Sequence, residues 1–225
     1  MKFSKDGVVS FDESNHSYYK DGSRLTSVTT FINKYKNKFD SEYHSKRIAE
    51  REGKTQDQVL KEWSDKALKS TTMGTYIHKI FEDYINGLEY KDSGVYQKEK
   101  VAIKFINDMF LTERLRPIGC EDIVYNNFLA GQVDCKAEDQ KGNRYILDWK
   151  TNEEISTYSY GKRMLGIFSH LDDHAHNHYM IQPSIYQRLD GNVKECFVVH
   201  IMENDYKIIK VQDVLKGVDL SFVGL

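Results

Sequence analysis

Asp134, Asp148 and Lys150 combine residue types and spacing suited to metal-assisted hydrolysis of a phosphodiester. They stand in Gly131-Gln132-Val133-Asp134 and, beyond a turn, in Asp148-Trp149-Lys150. Side chains alternate across a strand with a period of two. Asp148 and Lys150 therefore project to one face with Ile146, and Leu147 and Trp149 to the other. Charges on a strand as apolar as Tyr145-Ile146-Leu147 are costly to bury without partners. A hard cation beside the carboxylates supplies one. Such a cation stabilises charge on the non-bridging phosphate oxygens and lowers the pKa of a bound water. A neighbouring lysine can orient that water, take its proton if its own pKa is depressed, or stabilise developing charge. Taken alone, D-x-K is common on surface hairpins, where an ion pair needs no metal.

Two further spacings add to the set. Gly74-Thr75-Tyr76-Ile77-His78 is followed four residues on by Glu82, which puts His78 and Glu82 on one helix face. A neutral imidazole can complete a metal site, although a packed or capping histidine is the commoner role. Gln182 and Tyr186 share one side of a helix, next to the apolar stripe of Ile181, Ile185 and Leu189. Their amide and hydroxyl can position Lys150, water or phosphate by hydrogen bonds. Singly, that pair also reads as the polar edge of an amphipathic helix.

In this order, Gly74…His78, Gly131…Asp134, Asp148-Trp149-Lys150 and Gln182…Tyr186 resemble the RecB-like branch of the PD-(D/E)XK nucleases. That branch carries G-x-x-x-H on a helix, then G-x-x-D, D/E-x-K and Q-x-x-x-Y. The resemblance runs from about Met73 to Tyr186, around half of the chain. Phe11…His16…Tyr18, Ser27-Val28-Thr29, and Leu165 to Leu171 ahead of Tyr179-Met180-Ile181-Gln182 are also similar to phage-encoded members. The resemblance implies Mg²⁺ or Mn²⁺ on Asp134 and Asp148, with His78 and the Trp149 backbone carbonyl as further ligands. It makes Lys150 the catalytic lysine, and Gln182 and Tyr186 organisers of the site. Glu121, where relatives often carry an acid, is a further candidate ligand. Glu82 would stand behind the first metal or bind a second. Val133 takes the place of the proline in the family's name, as is usual in this branch. Pro183 requires a helix that starts near Met180–Gln182 or is kinked there.

The implied fold is α/β (α+β): a mixed central sheet flanked by helices, with an αβββαβ core. The implied activity is a DNA nuclease, foremost an exonuclease on single strands or DNA ends in phage-type replication, recombination or processing. A structure-specific endonuclease is the nearest alternative. A catalytically silent nucleic-acid-binding module is the alternative of a different class.

The elements that must position these residues are legible in outline. Val8–Phe11 and His16–Lys20 are strand-like, with Asp21-Gly22 as a turn. Residues 28–114 are mostly helical. Thr55-Gln56-Asp57-Gln58 fits a capping box. One helix is expected over Gly74–Asn86, with Gly87 as its cap, and another over about Ser93–Glu113. Ile123–Phe128, Gly131–Ala137 and Arg144–Lys150 read as strands, Tyr160–Phe168 and the stretch around Ile181–Leu189 as helical. Cys196–Met202 and Lys207–Val211 read as closing strands. A single domain over 1–225 is expected, with hairpin and helical lobe in 1–72 and the nuclease core in 73–225.

His170, His174, His176 and His178 crowd together with Asp172 and Asp173 and read as an exposed polar loop before the Gln182 helix, with a second metal site as the sharper alternative. Between Lys34 and Lys69, basic residues interleave with acids, as on a solvated helical face. The sharper reading is a lobe that guides a nucleic-acid strand, with Tyr35, Phe39, Tyr43 and Trp63 available to stack on bases; packing is the default for most of them.

A net charge of -2 argues against a generally basic nucleic-acid coat protein, so contacts to DNA must be local or carried by bound cations. Three scattered cysteines argue against a disulfide framework, a zinc knuckle and a four-cysteine iron–sulfur cluster. With a polar Lys2–Asp6 and no long apolar run, the expectation is a cytoplasmic protein without a membrane span.

Overall fold

The computed structural model describes residues 1–225. The chain opens with β1 (Lys2–Phe3), β2 (Val9–Asp12), β3 (Ser17–Lys20) and β4 (Ser23–Ser27), paired antiparallel in that order. Asp21 and Gly22 turn β3 into β4 with φ of 49° and 76°, the left-handed pair that a tight hairpin turn needs. Ser27 ends β4 and caps α1 (Val28–Asn33), its hydroxyl accepting the Thr30 N–H. Helix α2 (Ser41–Glu52) follows, capped by Asp40.

Helix α3 (Gln56–Ile85) starts at the expected capping box of Thr55 and Gln58. The helix expected over Gly74–Asn86 is the C-terminal part of this 30-residue element. One glycine does not break a helix that packing supports. Helix α4 (Gln97–Phe105) is shorter than expected. The buried Glu99 carboxylate takes the N–H groups of Ser93 and Tyr96, which fixes the start at Gln97. The far end widens into a π turn over Ile106–Phe110.

Strands β5 (Arg116–Tyr125), β6 (Leu129–Glu138) and β7 (Arg144–Lys150) form an antiparallel unit. Strand β5 begins earlier than expected and takes in Pro117. Pairing only with β6, it tolerates a residue without an N–H, and its register shifts between Pro117 and Gly119. Helix α5 (Ala175–Asp190) crosses over to β8 (Glu195–Ile201), which lies parallel to β7, and β9 (Tyr206–Lys210) closes the edge antiparallel. The order from α4 to β8 is helix, three antiparallel strands, helix, parallel strand. Strand β4 runs parallel to the start of β6, which joins the N-terminal hairpin to the main sheet. Helix α3 runs unbroken through residues 72 and 73.

The result is a mixed α/β fold with helices on both faces of a mixed sheet. On one face α1 and α5 bury Val28, Phe31, Ile181 and Ile185 with Val133 and Ile146. On the other, α3 and α4 bury Ile77, Phe81 and Phe105 with Leu147, Trp149 and Val199. A strand covered on both faces reads as a continuous apolar run, which is why β7 does.

Three expectations need correction. Tyr160–Phe168 is not a helix: Tyr160, Gly161 and Gly166 have left-handed φ, and only Gly166–Phe168 makes one 3-10 turn. Helix α5 starts at Ala175 rather than near Met180, so Pro183 lies inside it. The histidine-rich segment is therefore only partly a loop. His174 caps α5, His176 and His178 lie in its first turns, and His178 Nε2 sits 2.6 Å from Asp173 Oδ1. No helix is long and apolar enough to cross a membrane.

Candidate metal centre

The site forms where two strand ladders lose their regularity. The β6–β7 ladder runs from Glu138–Arg144 to Cys135–Leu147 and stops. At the next residue the Asp134 carboxylate, instead of a backbone carbonyl, accepts the Trp149 N–H at 2.7 Å. On the other side, β5 pairs Cys120 with Cys135 and Asp122 with Val133, and between them Glu121 has φ 52°. A left-handed φ is strained for a residue with a Cβ, and such strain concentrates at functional sites. Side-chain alternation in β6 slips here: Val133 packs under α1 and α5, whereas Cys135 packs under α3 and α4.

The register sets Glu121 opposite Asp134, and the slip turns both toward α3. Ligating atoms of His78, Glu121 and Asp134 all lie within 4.8 Å of one another. His78 Nδ1 is 3.9 Å from Asp134 Oδ1. Helix α3 holds the imidazole there through buried Ile77 and Phe81, and Phe81 stacks on Trp149 with centroids 4.1 Å apart. Gly74 lets the helix approach the end of β7, because a Cβ there would meet Thr151 Oγ1 at 3.1 Å. Burial raises the Glu121 carboxyl to about 7, and the Asp134 charge is the next cause. Two crowded carboxylates and an imidazole, with no lysine or arginine in contact, are a donor set that fits a divalent cation with oxygen and nitrogen ligands.

Asp148 and Lys150 form an adjoining pair. Asp148 is only 2% exposed, and its Oδ2 lies 2.6 Å from Lys150 Nζ. This buried oxygen has the Lys150 ammonium as its ion-pair partner. Burial raises the Asp148 carboxyl, against the pull of Lys150. Burial alone would lower Lys150, but Asp148 and Asp134 more than offset that and hold it protonated. Lys150 Nζ also sits 5.0 Å from the ring centre of Tyr179, a cation–π contact that restrains it.

Tyr186 and Gly131 explain one another. The buried Tyr186 hydroxyl accepts from Gln182 Nε2 at 2.9 Å. A Cβ on Gly131 would lie 2.5 Å from Tyr186 Cε1, so the glycine before Asp134 makes room for the ring. Gly131→Ala should therefore cost about 1–3 kcal/mol of stability through overpacking. Urea unfolding checks this; an unchanged midpoint would mean that the ring yields easily.

The candidate residues separate into groups. His78, Glu121 and Asp134 come together, and Asp148, paired with Lys150, lies close enough to feel the charges of Asp134 and His78. Glu82 lies 4.0 Å from Lys2 and 3.8 Å from Lys79, outside the trio, and its charge reaches Glu121. For Trp149 the amide, not the carbonyl, is tied to Asp134. Tyr179, Tyr18, Lys98 and His200 had no assigned role in the sequence. Tyr179 stands three residues before Gln182 on one helix, a spacing that signals a shared side. Tyr18 is buried close enough to feel the Glu121 charge. Of the lobe aromatics, Tyr35 packs against Phe31 and Phe168, whereas Phe39 and Tyr43 stay exposed although both rings pack on His44.

Compared with models of known protein families and with curated proteins, the chain matches none.

Proposed function

We propose that this protein is a divalent-metal-dependent nuclease of the PD-(D/E)XK type, RecB-like branch, acting on DNA. The observation that carries the reading is the gathering of His78, Glu121 and Asp134 where β6 and β7 part, with Lys150 near enough to feel the Asp134 charge. The order helix, three antiparallel strands, helix, parallel strand supports it, since this is the core that the sequence motifs imply.

His78, Glu121 and Asp134 would hold Mg²⁺ or Mn²⁺, with Asp148 next to them. When bound, the ion supplies charge for the phosphate oxygens and acidifies a water. The Trp149 N–H fixes the Asp134 carboxylate, and Asp148 orients Lys150. A protonated Lys150 is a cation that orients water or stabilises the developing phosphorane charge, and the base role falls to another group. Gln182 and Tyr186 brace the strand behind Asp134.

Exonuclease action on single strands or DNA ends and phage origin rest on the resemblance, and a cytoplasmic setting on the three scattered cysteines. The test is incubation of end-labelled linear DNA and closed circular single-stranded DNA with Mg²⁺ or Mn²⁺. Loss of the linear substrate alone is expected. Cutting of circles would make the enzyme an endonuclease. Metal binding without cleavage of DNA or RNA would leave a silent binding module.

A further inference from the structure

The two residues after Lys150 are fastened from three elements at once. From α4, Lys98 Nζ donates to the Thr151 carbonyl at 2.6 Å and to the Asn152 carbonyl at 3.2 Å. From β8, His200 Nε2 meets the same Asn152 carbonyl at 2.9 Å. From α5, the Tyr179 hydroxyl donates to Asn152 Oδ1 at 2.8 Å. The Tyr179 ring is also the surface against which Lys150 rests.

Lys98 is unusual among these groups. It is 3% exposed, and burial lowers its pKa. No carboxylate touches it; Glu203 and Glu153 act on it only through their charge, and Glu153 is paired with Lys66. A buried ammonium without a counter-ion is costly, and a methionine would fill the same space without that cost. What the ammonium adds is a pair of strong hydrogen bonds to carbonyls beyond the last residue of β7. A long side chain such as Lys150 can be aimed only as well as its backbone is held.

We propose that Lys98 is a positioning residue for Lys150. By clamping the Thr151 and Asn152 carbonyls it fixes the end of β7, and so keeps the Lys150 ammonium between Asp148 and the Tyr179 ring. The catalytic consequence rests on the nuclease reading; the structural one does not.

The experiment compares Lys98→Met, which removes the donors, with Lys98→Arg, which keeps them. The first readout is proton–carbon NMR of the lysine side chains without metal, with the Lys150 signal assigned through Lys150→Arg. Its ε protons should be shifted upfield by the Tyr179 ring in the parent. That shift should fall by about half or more in Lys98→Met and persist in Lys98→Arg. The second readout is DNA cleavage, where Lys98→Met should lower kcat about 10–100-fold with KM within about twofold, and Lys98→Arg should recover most of it. An unchanged Lys150 signal in folded Lys98→Met overturns the proposal. A changed signal with unchanged kcat overturns its catalytic part. If the parent cleaves nothing, the nuclease reading fails while the NMR comparison still decides the clamp. If Lys98→Met does not fold, Tyr179→Phe loosens the same loop and keeps the ring; a smaller change in the same direction supports the clamp, and none overturns it.

Discussion

Asp134→Asn and Lys150→Ala are each expected to lower metal-dependent DNA cleavage by about a thousandfold or more, roughly 4 kcal/mol of transition-state stabilisation. The two losses have different origins. Asp134 provides a charged oxygen to the candidate metal centre and an acceptor for the Trp149 N–H. Asparagine keeps an oxygen for that N–H and removes the charge. Its effect on cleavage is then separable from the cost of a buried, unpaired amide, about 1–3 kcal/mol, which alanine would add. Lys150→Ala removes a cation that two carboxylates hold protonated. It also leaves Asp148 buried without its partner. A carboxyl in that position takes up a proton rather than remain charged, so the variant should fold with a modest loss of stability. Cleavage of end-labelled linear DNA, read beside thermal melting of each variant, checks both statements. Normal turnover by folded Asp134→Asn and Lys150→Ala would falsify the assigned site.

Local patterns made part of this site legible. Asp148 and Lys150 could be placed on one face because β7 is regular and its apolar run marks a strand covered on both sides. Gln182 and Tyr186 could be paired because four residues on a helix fix their relation, and α5 keeps that geometry despite Pro183. His78 followed from the same periodicity, although the helix that bears it begins far earlier than its motif. Glu121 was different. The register sets Glu121 opposite Asp134, but a strict period of two would turn that pair away from His78 and α3. Both face α3 through a left-handed residue and a slip in alternation, which pairing between distant strands enforces and local pattern does not encode. The Lys98 clamp was hidden for a similar reason. It joins α4 to a loop 53 residues later in the chain. The false helix at Tyr160–Phe168 arose from apolar spacing that a loop can also show when it packs on the core, as Met164 and Phe168 do.

Glu121 also carries the clearest dependence on pH. Its ordinary pKa of 4.5 is raised to about 7 by burial and by Asp134. A raised carboxyl favours the fold in its protonated form. Its contribution to stability is therefore complete below about 4.5 and is lost as pH rises to about 7. Without metal, Glu121→Gln should be more stable than the parent at pH 8, by roughly 1–3 kcal/mol after allowance for partial access of water. At pH 4 the two should melt alike. A divalent cation reverses the comparison, because it needs the charged carboxylate. Metal affinity of the parent should fall about tenfold per unit as pH drops below 7, since a proton must leave for each ion bound. In Glu121→Gln that slope should flatten, and affinity at pH 8 should be weaker than the parent's. Melting in EDTA at both pH values, and calorimetric titration with Mn²⁺ across the range, measure the two effects separately. A Glu121→Gln protein less stable than the parent at pH 8 in EDTA would mean that groups of the protein itself hold the carboxylate charged. An unchanged Mn²⁺ affinity would remove Glu121 from the ligand set and leave His78 and Asp134 to be completed by Asp148.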